Sequence, residues 1–391
     1  MIGPILGSGI ILLPPLAYRN LGNQALWAWI VTLALGAAFS LVFIRMTLRT
    51  RSDAGIASLV ARERGAAWGE LAANYLSGAV VFGVVPVCLT GASLWPAELA
   101  FGLGPTFRAA LFVALMIALL LAGLTTISRL TLALSTATAL SLLASSVLAF
   151  TAGRVVLPAP DWSTPALGRT LLLLFWAIVG WEVIANYSKD VERPEVTVPL
   201  AGAVALAAVS AVYLATAAAL QTLAPGSAAE PTMALVLAPL FGPVADAVAG
   251  ILGGGLCLAT LLMFTGAVTR MTAQRGREGA LPRWLGLGSP DAPPIVPILA
   301  LGATSALLLA AVGAGWAALD DLVAAANLFF LGNALLGLAA AWTILEGLFW
   351  KFAIACLAAV LLLLMAQGSV VGWVLLAAVT AATFLARKKG A

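Results

Sequence analysis

The sequence predicts an all-α integral membrane protein with about twelve transmembrane helices. Of its 391 residues, 62% are hydrophobic and only 9% are charged, which is more apolar surface than the interior of a soluble globule can hold. A chain of this length has room for about a dozen spans of roughly 20 residues with short connections. Glycine, proline and charged residues separate the apolar runs, as they do at 45–53 and 270–277.

The apolar runs define twelve predicted spans, which we assign to one polytopic domain over residues 1–391. Each run is long enough to cross the hydrocarbon core of a bilayer. The predicted bounds are 2–18, 25–44, 67–95, 106–124, 131–152, 167–187, 198–220, 240–270, 295–312, 319–344, 350–366 and 370–386.

The positively charged residues predict the orientation. Cytoplasmic loops carry an excess of Lys and Arg, and alternate loops of this chain divide the 20 such residues very unequally. One side holds only Arg19, Arg108, Arg154 and Arg169, and the other holds the rest. Both termini lie on the basic side, so we expect both to be cytoplasmic.

The composition also excludes several classes of function. The net charge of +4 forms no basic stripe with interleaved aromatic residues, so nucleic acid is not an expected partner. The chain has no histidine, and we find no catalytic carboxylate pair or serine elbow, so we do not expect an enzyme. Its three cysteines lie singly in apolar segments, with the spacing of neither a disulfide framework nor a metal site. We therefore expect no cofactor and no metal.

The first span contains a break. Gly7, Ser8 and Gly9 interrupt an apolar stretch that ends at Pro14 and Pro15. Small residues let a helix unwind, and unwound backbone inside a bilayer is tolerated only where it lines a cavity or meets a ligand. The freed N–H groups suit a carboxylate, and the freed carbonyl groups suit an ammonium or a cation. The alternative is that the small residues allow helices to pack closely.

The sixth span carries a charge inside an apolar run. Glu182 lies in the run 171–185 and follows Gly180 by two positions. A charged side chain at the centre of a bilayer costs about 3 kcal/mol on insertion scales, so it usually faces a cavity, a partner or a permeation path. Because burial disfavours the charged form of a carboxyl, protonation of Glu182 can be linked to which side is open. The alternative is a gate carboxylate permanently bonded to nearby backbone.

The two interrupted spans fall one in each half of the chain. This placement indicates a binding site at the midplane, between inverted repeats. We predict that residues 1–152 form the first repeat, that residues 167–344 form the second, and that residues 350–386 add two helices. A single site between broken helices favours alternating access over an open channel.

Several stretches of the sequence resemble one transporter family. They are Leu6 to Pro14 in the first span, and Phe175 to Glu182 with the following 189–194 segment in the sixth. They are similar to the amino acid, polyamine and organocation transporter superfamily. The third-span stretch 84–91 and the tenth-span stretch 326–330 resemble its bacterial branch that exports methionine and branched-chain amino acids. The resemblance implies a five-plus-five inverted-repeat (LeuT-like) core in a bacterial inner membrane.

The same resemblance implies a set of site residues. In the family, backbone N–H groups at the positions of Ser8 and Gly9 hold the substrate carboxylate, and Trp176 shapes the pocket or acts as a gate. Glu182 matches an inner-gate position that responds to pH. The implied substrate site comprises Ile5, Gly7, Ser8, Gly9, Ile10, Phe175, Trp176, Val179 and Gly180, with the carbonyls of Ile5, Trp176 and Val179 accepting from the ammonium group.

Two further polar or helix-bending positions have alternative interpretations. Pro86 and Asn327 lie in the third and tenth spans, where they either border the pocket or serve the structure. A proline can simply kink a helix, and an asparagine can simply bridge two helices.

The resemblance implies a secondary transporter of neutral, hydrophobic L-amino acids that exports them by proton antiport or exchange. An importer or exchanger with another substrate, and a sensor that binds without transport, are the alternatives. The fifth span has no lysine that could substitute for a sodium ion, and the eighth span offers Thr260 and Thr265 but no adjacent pair of hydroxyl residues, so we disfavour sodium coupling. Expected partners are the amino acid and the lipid bilayer, with the protein as a monomer or a homodimer.

The beginning of the sequence departs from the family pattern. Only six residues precede Gly7, whereas relatives have most of a half-helix there. We therefore expect that the natural start of translation lies upstream of Met1; the alternative is that the protein lacks part of its cytoplasmic gate.

Overall fold

The chain folds into helices throughout the residues that the structure describes. This computed structural model describes residues 6–50, 55–95, 102–122, 127–151, 153, 155–163, 165–180, 193–224, 231–290 and 292–390. The α-helices in these ranges are α1 Gly9–Leu21, α2 Ala25–Thr50, α3 Ile56–Arg64, α4 Ala66–Ser93, α5 Pro105–Leu121, α6 Ile127–Ala149, α7 Pro165–Leu174, α8 Pro194–Leu223, α9 Met233–Phe241, α10 Ala245–Arg277, α11 Ile295–Gly313, α12 Leu319–Ile344, α13 Leu348–Met365 and α14 Val370–Gly390.

The helices account for the predicted membrane spans. In the described ranges, eight helical stretches are long and apolar enough to cross a membrane, and 105–121, 165–178 and 370–386 are shorter apolar helices. Two of the eight stretches, 9–49 and 233–277, each contain two α-helices. Within the described residues, each of the twelve predicted spans overlaps a helix. The predicted all-helical membrane fold is therefore confirmed.

Two short helices were not expected from the sequence. Helix α3 lies between the second and third spans, and helix α9 lies between the seventh and eighth. Each has nine residues, which is too short to stand out as a span. They occupy equivalent places in the two halves of the chain. This agrees with the predicted repeats, whose bounds remain a prediction.

Helices α4 and α12 pack against each other in the interior. Both are apolar on all sides, which is typical of a helix that is surrounded by protein. Glycines at their surfaces make room for aromatic rings of the partner helix: Gly78 of α4 lies under Phe329, and Gly332 of α12 lies under Tyr75. Because α4 also packs on α10, it contributes to every cavity described below.

Three cavities follow one another along α4 and α10. We name them the Arg275 cavity, the central cavity and the Arg19 cavity. Helix α4 contributes Glu70 to the first, Gly83 to the second and Ser93 to the third. Glu70 and Ser93 are about 35 Å apart at 1.5 Å per helical residue, a distance close to the thickness of a hydrocarbon core. The central cavity therefore lies near the middle of the predicted bilayer.

The two end cavities are wide, and the central one is narrow. The Arg19 and Arg275 cavities measure about 830 Å³ and 940 Å³. In the central cavity, the space open to the centre of a water molecule is only about 40 Å³. A small constriction thus separates two wide spaces.

Candidate functional site

The predicted break in the first span is present. Gly7 and Ser8 form a turn before α1 begins at Gly9. Gly7 has a φ of 37°, in the left-handed region that glycine adopts readily and other residues adopt at a cost. The Ser8 carbonyl then accepts the first helical bonds, from the N–H groups of Ile11 and Leu12 at 3.2 and 3.1 Å. The start of α1, with its N–H groups that lack an acceptor within the helix, therefore lies at membrane depth.

The sixth span also breaks. Helix α7 ends at Leu174, the chain continues as a 3₁₀ turn over Phe175–Ile178, and Val179 is extended. Gly180 has a φ of 113°, which strongly favours glycine. The Val179 N–H group donates to the Trp176 carbonyl at 3.3 Å, and this bond closes the 3₁₀ turn before the backbone becomes extended.

Asn327 of α12 supports this second break. Its Nδ2 atom donates to the carbonyl of Leu172 at 2.7 Å and to that of Leu173 at 3.0 Å. The carbonyl groups in the last turn of a helix find no N–H donor within that helix, and a buried carbonyl without a hydrogen-bond donor costs free energy. The fully buried Asn327 side chain therefore stabilises the end of α7.

The two breaks meet at the central cavity. Backbone and small side chains of the first break form one part of its wall, and Trp176 and Val179 of the second break form another. The remaining wall comes from α4, α10 and α12. The lining residues are Leu6, Gly7, Ser8, Gly9, Ala79, Val80, Gly83, Val84, Val87, Trp176, Val179, Thr260, Leu261, Phe264, Thr265 and Phe330.

The polar and apolar parts of this wall are separate. Polar atoms come mainly from backbone at the breaks and from Ser8, whose buried Oγ atom has no hydrogen-bond partner. The hydroxyl groups of Thr260 and Thr265 donate within α10, to the carbonyls of Leu256 and Leu261. The other lining side chains are apolar. The cavity can therefore offer hydrogen bonds from the breaks and from Ser8, and hydrophobic contact from the other lining side chains.

Aromatic rings shape the apolar side of the cavity. The Trp176 ring meets the Phe330 ring edge to face, with centroids 6.0 Å apart. Phe330 meets Phe264 in the same way at 6.5 Å. Behind the first break, the Tyr213 ring stacks on Trp29 at 4.4 Å, and its hydroxyl group lies 3.5 Å from the Leu6 carbonyl oxygen.

Some predicted site residues lie beside the cavity or outside the described ranges. The side chains of Ile10 and Phe175 are buried in the hydrophobic core rather than among the lining residues. Pro86 lies within α4, one turn from lining residues, where its carbonyl accepts from Thr90 Oγ1 at 2.8 Å. Ile5 and Glu182 lie outside the residues that the structure describes.

The sequence did not single out several lining residues. Gly83 of α4 and Phe264 of α10 are small or apolar residues in uniformly apolar helices, so nothing in their local pattern marks them. Val84 and Phe330 belong to stretches that resemble the family, although the resemblance implies no role for either. Only the packing of distant helices brings these residues to the breaks.

The fold and the cavity define a membrane transporter, with two broken helices around a constriction between wide end cavities. The chain belongs to the amino acid permease family, whose model matches residues 1–386. Two curated relatives are similar over most of their length. An uncharacterized amino acid permease, YecA of Bacillus subtilis (strain 168), is 28% identical over 88% of this chain and 82% of its own. The L-methionine/branched-chain amino acid exporter YjeH of Escherichia coli (strain K12) is 29% identical over 94% and 88%.

A solved structure has the same fold. The crystal structure of MhsT in complex with L-phenylalanine superposes with a TM-score of 0.63 over 94% of this chain and 96% of its own, at 16% identity. The predicted LeuT-like fold with discontinuous first and sixth helices is confirmed by this likeness. Together with the family, it identifies the chain as an amino acid transporter.

Proposed function

We propose that this transporter carries neutral L-amino acids with hydrophobic side chains, and that it exports them across a bacterial inner membrane by alternating access. The observation that carries the proposal is the central cavity, whose wall combines backbone of two broken helices with apolar side chains. The similarity to an exporter of methionine and branched-chain amino acids supports the same substrate class.

The proposed binding mode assigns the carboxylate, the ammonium group and the side chain of the substrate to different parts of the cavity wall. The substrate carboxylate accepts from the N–H groups at the start of α1, at Ser8 and Gly9, where the positive end of the helix dipole favours an anion. The ammonium group donates to the carbonyls of Ile5, Trp176 and Val179. The side chain lies against the aromatic residues Trp176, Phe264 and Phe330.

Counterflow in proteoliposomes tests the substrate class. Vesicles containing the purified protein are loaded with an unlabelled amino acid, and entry of labelled L-methionine, L-leucine, L-alanine, L-lysine or L-glutamate is measured at two pH values. We expect counterflow of the first three only, because no charged side chain among the described lining residues would pair with lysine or glutamate. Binding of L-leucine without counterflow would instead favour a sensor, and counterflow of L-lysine would overturn the substrate class.

We further propose that Glu182 couples transport to protons. The prediction is that Glu182→Gln keeps counterflow at one pH but flattens its dependence on pH, because the amide cannot take up a proton. Counterflow of L-leucine is measured from pH 5 to pH 8. Glu346→Gln serves as the control, since that carboxylate is 81% exposed and should leave the profile unchanged. An unchanged pH profile in Glu182→Gln would remove this residue from the coupling role and leave exchange as the mechanism.

A further inference from the structure

The indole ring of Trp176 lies between two glycines on opposite walls of the central cavity. At one end of the ring, Cδ1 lies 3.5 Å from the position that a Cβ atom on Gly9 would occupy. At the other end, Cη2 lies only 2.8 Å from the position of a Cβ atom on Gly83. The ring therefore reaches from the first break to α4, and Gly83 leaves the space that its far edge fills.

The two ends of the ring differ in how closely they are packed. The 3.5 Å separation at Gly9 is an ordinary van der Waals contact. The 2.8 Å separation at Gly83 is shorter than real Cβ contacts allow, so after addition of a methyl group the ring would have to move by about 0.6 Å to reach an ordinary contact of 3.4 Å. Trp176 is the partner that moves, because its side chain lines the cavity, whereas Gly83 belongs to the backbone of a buried helix.

A displacement of the Trp176 ring toward the cavity has a large effect on the cavity volume because the cavity is small. The volume open to a water centre is about 40 Å³, and a single water needs about 10–15 Å³ on the same measure. On the far side, Phe330 meets the Trp176 ring edge to face and limits how far it can turn away. The displaced ring therefore reduces the space in the part of the cavity that we assign to the substrate side chain.

From this geometry we propose that Gly83 is a specificity-determining residue, which sets the upper size of the substrate side chain by allowing the Trp176 ring to lie against α4. The inference rests on the proposed function, since it concerns the size of the amino acid carried. Gly83 acts indirectly, through the position of the Trp176 ring, and Trp176 contacts the substrate.

The test compares Gly83→Ala with the unsubstituted protein in counterflow of L-leucine and L-alanine. We expect the leucine-to-alanine ratio of kcat/KM to fall about tenfold or more, which is the usual discrimination for side chains that differ by a few carbon atoms in a restricted pocket. The double variant Gly83→Ala with Trp176→Phe should recover most of the ratio, because phenylalanine lacks the outer part of the indole that approaches Gly83. Trp176→Phe alone should shift preference the opposite way, toward L-phenylalanine over L-leucine.

Gly91→Ala is the matched control. Gly91 is also on α4, and a Cβ atom there would lie 2.8 Å from the Phe112 ring, yet neither residue lines the central cavity. This variant should destabilise the protein to a similar degree and leave the substrate ratio unchanged.

The outcomes separate the inference from the function on which it rests. Normal counterflow with an unchanged ratio in Gly83→Ala would overturn the inference alone, as would an equal fall of the ratio in Gly91→Ala. If Gly83→Ala does not yield folded protein, an unshifted preference in Trp176→Phe would overturn it. Absence of counterflow of any neutral amino acid by the unsubstituted protein would overturn the proposed function as well.

Discussion

The central cavity and the Arg275 cavity use polar groups in opposite ways. In the Arg275 cavity, Arg275 donates through Nε to Glu70 Oε2 at 3.1 Å and through Nη2 to Asn74 Oδ1 at 2.8 Å. Asn74 Nδ2 in turn donates to Thr383 Oγ1 at 2.8 Å. In the central cavity, the buried Ser8 Oγ atom has no partner. Polar side chains at the end of the molecule are bonded to one another, whereas the Ser8 hydroxyl group at the centre stays open.

This difference distinguishes a structural brace from a binding site. The Arg275 network joins α4, α10 and α14, so it fixes the added C-terminal helix to the core. A hydrogen bond between buried groups is retained because its loss leaves a desolvated group without compensation. Open groups at the centre gain that compensation only when a ligand is bound. Substitutions in the two regions should therefore have different consequences.

The largest effect on stability is expected at the brace. Arg275→Ala leaves Glu70 and Asn74 without their partner in a largely buried position, and it should lower the free energy of unfolding by about 3 kcal/mol. Thermal unfolding of purified protein in detergent measures the change. Arg277→Ala, an exposed position on the same helix, is the control and should change stability by about 0.5 kcal/mol or less.

A double substitution tests whether the unpaired charge causes this loss. Replacement of both Glu70 and Arg275 by Met should recover most of the stability, because buried ion pairs are often replaced by apolar groups at little net cost. A double variant as unstable as Arg275→Ala would contradict this explanation.

An intermediate effect is expected at Asn327, which connects the interior to the second break. Asn327→Leu removes both donors to the carbonyls of Leu172 and Leu173, and it should cost about 2 kcal/mol. Unfolding in detergent is again the measurement, with L-leucine counterflow recorded beside it. Asn327→Asp keeps the shape of the side chain but not the two amide donors, so it should be at least as unstable. Wild-type stability of the Asp variant would show that these donors are unimportant.

The smallest effect is expected for the ion pair between Arg169 and Asp321. Their side chains are about half exposed and lie 3.2 Å apart. Exposed pairs contribute little because solvent screens them and ordering two side chains costs entropy. Arg169→Ala should therefore lower stability by about 0.5 kcal/mol at most, and 1 M salt should abolish the difference. A loss equal to that of Arg275→Ala would break the contrast between buried and exposed pairs.

The sequence predicted those parts of the molecule that local chemistry reveals. A glycine-rich interruption at Gly7–Gly9 inside an apolar run indicates a break in the helix, so the first break was predictable. The second break, near Gly180, was predictable as well. The wall residue Gly83 was not predictable. It looks like any packing glycine until Trp176, 93 positions later in the chain, is placed against it.

The brace was missed for a related reason. Glu70 and Arg275 are 205 positions apart, and each resembles an ordinary loop-proximal charge at a span end. The orientation rule counted Arg275 among the basic residues of one side without indicating a partner. Likewise, the short helices α3 and α9 carry no periodic signal long enough to distinguish them from loops.

One helix, α4, borders all three cavities in sequence. Labels placed along this helix would therefore report on each cavity in turn. Single thiols introduced at Asn74, Val87 and Ser93, in a background without the native cysteines, would react with an impermeant reagent only when the corresponding cavity is open to that side. Their reactivities would show the orientation of the protein in the membrane and the order in which its gates open.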